Sequence, residues 1–173
     1  MAVTIIATAG SASANSFTTL AELTTYMEAR LNSTLFDAAS TDTKNRALVE
    51  ATREVSVLNY KGYRAETTQA LSWPRWDAPN PDSAQGWLYD TDEIPQRVKD
   101  ATMELANQFI IAGTTDIASA PTDPNVIEKT IDVITTRWSE YTRTTGVKLY
   151  PRVWALLAPL LEGSVNQMQV VRG

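Results

Sequence analysis

The chain has 173 residues, of which 43% are hydrophobic and 20% charged, so one globular core is expected and wholesale disorder is excluded. Twenty acidic residues against fifteen basic ones leave a net charge of −5, the opposite sign to a domain that takes its affinity from phosphate contacts. There is no Cys and no His, which excludes disulfides, zinc–thiolate centres, thiol nucleophiles and the usual general base.

In chain order, residues 2–16 read as a short extended N-terminal arm, with Val3 and Ile5 alternating with Thr4 before a small, polar stretch. Thr19 and Glu22 have capping-box spacing, and Leu20, Leu23, Met27 and Leu31 recur at helical intervals, so a helix is predicted that ends near Asn32. A second helix is predicted from Thr41 or Thr43 to about Asn59, with Ala47, Leu48, Ala51, Val55 and Leu58 on its apolar stripe.

Residues 60–94 follow no period. They hold Gly62, Pro74, Pro79, Pro81, Gly86 and three of the five tryptophans, the composition of a long loop that is functional or packed by its own side chains. Ile94-Pro95, preceded by Asp92 and Glu93, opens a third helix whose apolar face runs through Val98, Ala101, Leu105, Ala106, Phe109 and Ile110 to Gly113. The dense β-branched residues after Val126 favour strand, and Gly146 allows a hairpin or extended arm within 126–150. Residues 137–152 carry Arg137, Arg143, Lys148 and Arg152 against Glu140 alone, a local excess of positive charge. Pro151 opens a last helix that bends or ends at Pro159, and residues 163–173 form an extended C-terminal tail. The fold class is therefore mainly α: about four helices with a long aromatic and Pro-rich loop, a hairpin or extended arm, and the tail. The domain is single, 1–173, with a helical core at 17–162.

No catalytic set emerges, and the chain is read as a non-enzyme without cofactor. Asp90, Asp92 and Glu93 form the densest carboxylate cluster, but Ile94 and Pro95 stand where a calcium loop needs a ligand and a glycine, so helix capping is the preferred role. No glycine-rich phosphate loop occurs. Trp73, Trp76 and Trp87 with Tyr60, Tyr63 and Tyr89 either stack bases, helped by Lys61, Arg64 and Arg75, or pin the loop to the helices; packing is the preferred role. No window has the roughly 20 apolar residues that cross a bilayer, and a soluble protein made in a cytoplasm is expected.

Leu71-Ser-Trp73-Pro74-Arg75, a turn-rich insert, Ile94-Pro95 and then the run from Val98 to Ala106 resemble head-to-tail adaptor (head completion) proteins of tailed bacteriophages. Sequences of this kind are also labelled DnaT-like single-stranded-DNA-binding proteins. Trp73, Pro74, Arg75, Ile94 and Pro95 are the structural signature of the resemblance. It implies a virion protein at the capsid vertex, forming a twelve-fold ring on the portal protein and joining the capsid to the tail or the next neck protein. DNA would pass through the channel without specific binding; the alternative implied is a single-stranded-DNA-binding protein. The tail residues Val165, Met168, Val170, Val171 and Arg172 are the expected partner contacts, since apolar residues on an otherwise polar terminus suit a neighbour's groove. Deleting residues 164–173 is expected to leave Tm unchanged while abolishing docking on the portal; full-affinity docking of the truncated chain would remove the tail as anchor.

Overall fold

A computed structural model describes residues 3–31, 33–113 and 150–162, together with strand backbone at 128–131 and 134–137. The fold is mainly α, as expected, and the described residues hold five helices: α1 (Leu20–Glu28), α2 (Thr34–Ala38), α3 (Thr41–Ser56), α4 (Gln96–Ala112) and α5 (Pro151–Leu157). The described residues also form two short antiparallel ladders, β1 (Tyr63–Arg64) with β2 (Arg75–Trp76), and β3 (Glu128–Ile131) with β4 (Ile134–Arg137).

The helices start and stop where local chemistry requires. Thr19 caps α1 by accepting the Glu22 N–H, while the Glu22 carboxylate accepts the Thr19 N–H at 2.7 Å, a complete capping box. The helix ends at Glu28, one turn before the expected end, and Leu31 is left exposed. Ser40 caps α3 through the Thr43 N–H. Proline at the cap position opens α4, and Gly113 closes it with φ +67°, a left-handed conformation that a residue with Cβ adopts at a cost. Asp92 and Glu93 are exposed and make no cap bond, so capping by the acidic cluster is not what the structure shows; Pro95 occupies that position instead. Pro159 sits in a 3₁₀ turn, Ala158–Leu160, directly after α5.

The core lies where α4 packs against α3 on one side and α5 on the other. Leu48, Ala51 and Val55 from α3, Val98, Ala101, Leu105 and Ala106 from α4, and Val153 and Leu157 from α5 are all buried there. Two polar ties join other elements to α4. Glu104 is buried, accepts the Tyr26 hydroxyl at 2.8 Å, and pairs with Arg30 and, at 3.3 Å, with Arg152. Burial first, and then the neighbouring Glu104 carboxylate, push the Tyr26 hydroxyl up to about 12. Glu22 likewise links α1 to α4 through Lys99 at 2.9 Å.

The N-terminal segment is tied down along its length. The Val3 N–H donates to Asp42 and its carbonyl accepts from the Asn45 amide, while the Asn15 side chain bonds Ile6 and Thr4. Buried or half-buried backbone groups need partners, and here the chain's own α3 supplies them. Within 126–150, the strand pairing joins Ile131 to Ile134 and Glu128 to Arg137, so the hairpin falls before Gly146 rather than across it. The tail residues Val165, Met168, Val170, Val171 and Arg172 lie outside the described residues.

Partial burial alone would raise the Glu22 pKa. The Thr19 N–H, Lys99, and the Thr19 and Thr18 hydroxyls outweigh that and bring it from 4.5 to about 2. A folded-state pKa below the unfolded one contributes stability that is complete above about pH 4.5 and is lost as pH falls through about 2. Glu22→Gln is therefore expected to lower Tm at neutral pH and to flatten the acid limb of a Tm–pH profile. An acid limb identical to that of the parent would show that this carboxylate does not link folding to pH.

Candidate functional site

The loop between α3 and α4 is held by an aromatic cage around buried Trp73 and by one half-buried cation. Trp73 is 1% exposed, and its ring meets Tyr60 at 5.6 Å and Tyr89 at 5.9 Å, both edge-on. The Tyr60 hydroxyl donates to the Val55 carbonyl at 2.8 Å, which ties the cage to the end of α3. Burial pushes the Tyr60 pKa far up, against the pull of the nearby Arg75 charge. The Trp73–Pro74 peptide is cis.

Arg75 is the cation. Its Nε donates to Lys61 O at 2.9 Å, Nη1 to Ser72 O at 3.1 Å, and Nη2 to Tyr60 O and Gly62 O at 3.1 and 2.5 Å. Four carbonyls from two stretches of chain converge on one guanidinium, a fork that only arginine provides. Burial lowers the Arg75 pKa, with the Glu162 carboxylate opposing and Arg64 adding to the fall. Gln69, also buried, closes the turn between the stretches by donating to Leu71 O and Pro74 O and accepting the Glu66 N–H.

These ties pair β1 with β2, setting Tyr63 opposite Trp76 and Arg64 opposite Arg75. Gly62 has φ +77°, and a Cβ there would stand 2.1 Å from the Trp76 carbonyl oxygen, so the close approach of the strands requires glycine. Side chains alternate across a ladder, and the face opposite Arg75 carries Tyr63 and Trp76. Tyr63 is 73% exposed and Trp76 53%, with the indole fixed by an Nε1–H bond to Ala65 O at 3.1 Å. Beyond Asp77 the chain forms a second small hairpin: Tyr89 N–H bonds Ala78 O, Pro79 bridges Leu88, and Asn80 N–H bonds Trp87 O. Asp82 fastens its far end to α4 through a two-pronged pair with Arg97, Nε to Oδ2 at 2.6 Å. Trp87 and Leu88 remain exposed.

The six aromatics of the loop thus divide. Tyr60, Trp73 and Tyr89 pack inward, whereas Tyr63, Trp76 and Trp87 face solvent. The three cations proposed to accompany them do not act together. Arg75 is consumed by carbonyls, Lys61 donates to Pro159 O at 2.9 Å, and exposed Arg64 sits on the face opposite Tyr63. Of the other signature residues, Pro74 is buried in the middle of the loop, and Ile94 and Pro95 are buried at its end before α4. Among the described residues no three carboxylates gather to hold a metal, and no helix is long and apolar enough to cross a membrane.

Residues 1–173, the whole chain, match the family described as "Putative DnaT-like ssDNA binding protein", and the chain belongs to that family. The match carries the DNA-binding description and not the adaptor one. No curated protein and no solved structure matches the chain.

Inward and outward tryptophans should separate in stability measurements. Trp73→Ala is expected to cost about 3–5 kcal/mol, the range for truncating a buried large aromatic. Trp76→Ala is expected to cost about 1 kcal/mol or less, as for most surface positions. Urea denaturation of both variants checks this; equal losses would contradict the division.

Proposed function

We propose that the chain binds single-stranded DNA by stacking bases on Tyr63 and Trp76, and the observation that carries this reading is their exposed cross-strand pairing on a rigid two-stranded frame. Family membership supports the ligand class. Every base has a π-face, so the recognition is tolerant of sequence, at roughly 1–3 kcal/mol per stacked base. Two such positions give at most about 6 kcal/mol, which corresponds to binding weaker than ~10⁻⁵ M.

Phosphate contacts add little. Arg64 is the one exposed cation on the ladder, it lies on the reverse face, and the chain as a whole carries −5. With about one phosphate neutralised, the slope of log K against log salt is near −0.7, far shallower than for a basic DNA-binding groove.

A second reading, a ring-forming head-to-tail adaptor on a portal, is favoured by that same net charge, since acidic walls would let DNA pass without gripping it. On that reading Tyr63 and Trp76 contact a neighbouring subunit rather than a base.

Fluorescence anisotropy with labelled oligo(dT) of about 16 nucleotides, the upper end of a single-strand site, separates the two. Binding weaker than ~10⁻⁵ M, a shallow salt slope, and a loss of about 5- to 150-fold in Trp76→Ala and Tyr63→Ala are expected for base stacking. No binding, or binding indifferent to both substitutions, would overturn the DNA reading. A ring seen by native mass spectrometry and lost in Trp76→Ala would establish the other.

A further inference from the structure

The second hairpin of the loop has a different chemistry from the first. From Asp77 to Glu93 there are five carboxylates, at 77, 82, 90, 92 and 93, and no Lys or Arg. All five are exposed, and among the described residues only Asp82 has an ion-pair partner, Arg97. In their midst stand Trp87, 67% exposed, and Leu88, 51% exposed, with exposed Pro79 bridged to Leu88 from the opposite strand.

We propose that this hairpin is a docking surface for a basic protein segment, one that brings Lys or Arg residues around an aliphatic or aromatic anchor. A large exposed indole beside a leucine is the kind of centre on which interfaces concentrate their energy, and a rim of one charge sign selects the partner's sign. Nucleic acid is the wrong occupant, because four unpaired carboxylates repel phosphate at contact range. The surface is also ordered in advance. Ala78 is buried, Tyr89 rests edge-on against Trp73, and the Asp82–Arg97 pair fixes the far end to α4. A partner therefore meets a shape already made and does not bear the cost of ordering it. The patch is small, which suits a transient contact rather than a permanent one. The proposal stands independently of base stacking at Tyr63 and Trp76, so the two can fail separately.

The experiment uses the full chain and a labelled synthetic peptide of about 15 residues in which Lys and Arg flank a central Leu-Trp, with a control peptide carrying Glu at every basic position. The basic peptide is expected to bind and the Glu control not to. Trp87→Ala, and separately the triple substitution Asp90→Asn, Asp92→Asn and Glu93→Gln, are each expected to weaken the basic peptide at least tenfold with Tm unchanged. Trp76→Ala is expected to leave peptide binding intact, and Trp87→Ala to leave oligo(dT) binding intact. Absence of peptide binding, insensitivity to Trp87→Ala or to the triple substitution, or competition by oligo(dT) would overturn the proposal. Self-association of the chain that disappears in Trp87→Ala would overturn it too, by making a second copy the occupant.

Discussion

Everything between α3 and α4 depends on where the Arg75 guanidinium goes. A charge partly withdrawn from water must find partners that replace its lost hydration, and here carbonyls of Tyr60, Lys61, Gly62 and Ser72 do so. The consequence is topological as much as energetic. Residues 60–62 and 72–75 are drawn to one point, which brings β1 against β2 and leaves the outer face of that ladder to Tyr63 and Trp76. A lysine would offer a single ammonium where a planar fork now bonds in four directions, so the substitution would not be conservative at this position. Trp73 completes the constraint from the inside by filling the space between Tyr60 and Tyr89.

Helix α4 is the strut on which these parts are mounted. Along its length it receives the Asp82–Arg97 pair from the acidic hairpin, the Glu22–Lys99 pair from α1, and the Glu104 cluster that engages α1 and α5. Exposed pairs of this type are each weak, about 0–1 kcal/mol, and the apolar contacts with α3 and α5 carry most of the stability. The buried Glu104 is different, because its carboxylate would be left uncompensated in the core if the Arg30 and Arg152 charges were both removed. Polar ties of this kind set orientation: they determine which way the loop and α1 face relative to the bundle. Two surfaces of unlike chemistry, one aromatic and one acidic with an apolar centre, are thereby presented from a single loop.

The helices were legible because their signals are local. The Thr19–Glu22 box, the stripe from Ala47 to Val55, the apolar face from Val98 to Phe109 and the proline at 151 each lie within a few residues of what they determine. Helix α2 was not legible, since five residues with Phe36 alone buried give no period to read. Nor could strands two residues long show alternation. The division of the aromatics was hidden for a deeper reason. Trp73 and Trp76 are three residues apart in the same composition, and only contacts with Tyr60, from the start of the loop, and Tyr89, from near its end, place one inside and the other out. Arg75 read equally well as a phosphate ligand, because composition places a guanidinium near aromatics without giving its direction. Gly62 was the one available signal: a glycine directly before Tyr-Arg marks a close backbone approach.

The division of the loop's aromatic residues into a buried cage and an exposed pair is tested most directly by fluorine NMR of the chain labelled with 5-fluorotryptophan. Its five tryptophans would be assigned by single Trp→Phe variants and followed during titration with oligo(dT). The Trp76 resonance should be sensitive to solvent isotope exchange in the free protein and should shift on adding the oligonucleotide, while the Trp73 resonance stays insensitive to both. A Trp73 signal that responds to solvent or to DNA, with Trp76 silent, would contradict the structure's assignment of the two side chains.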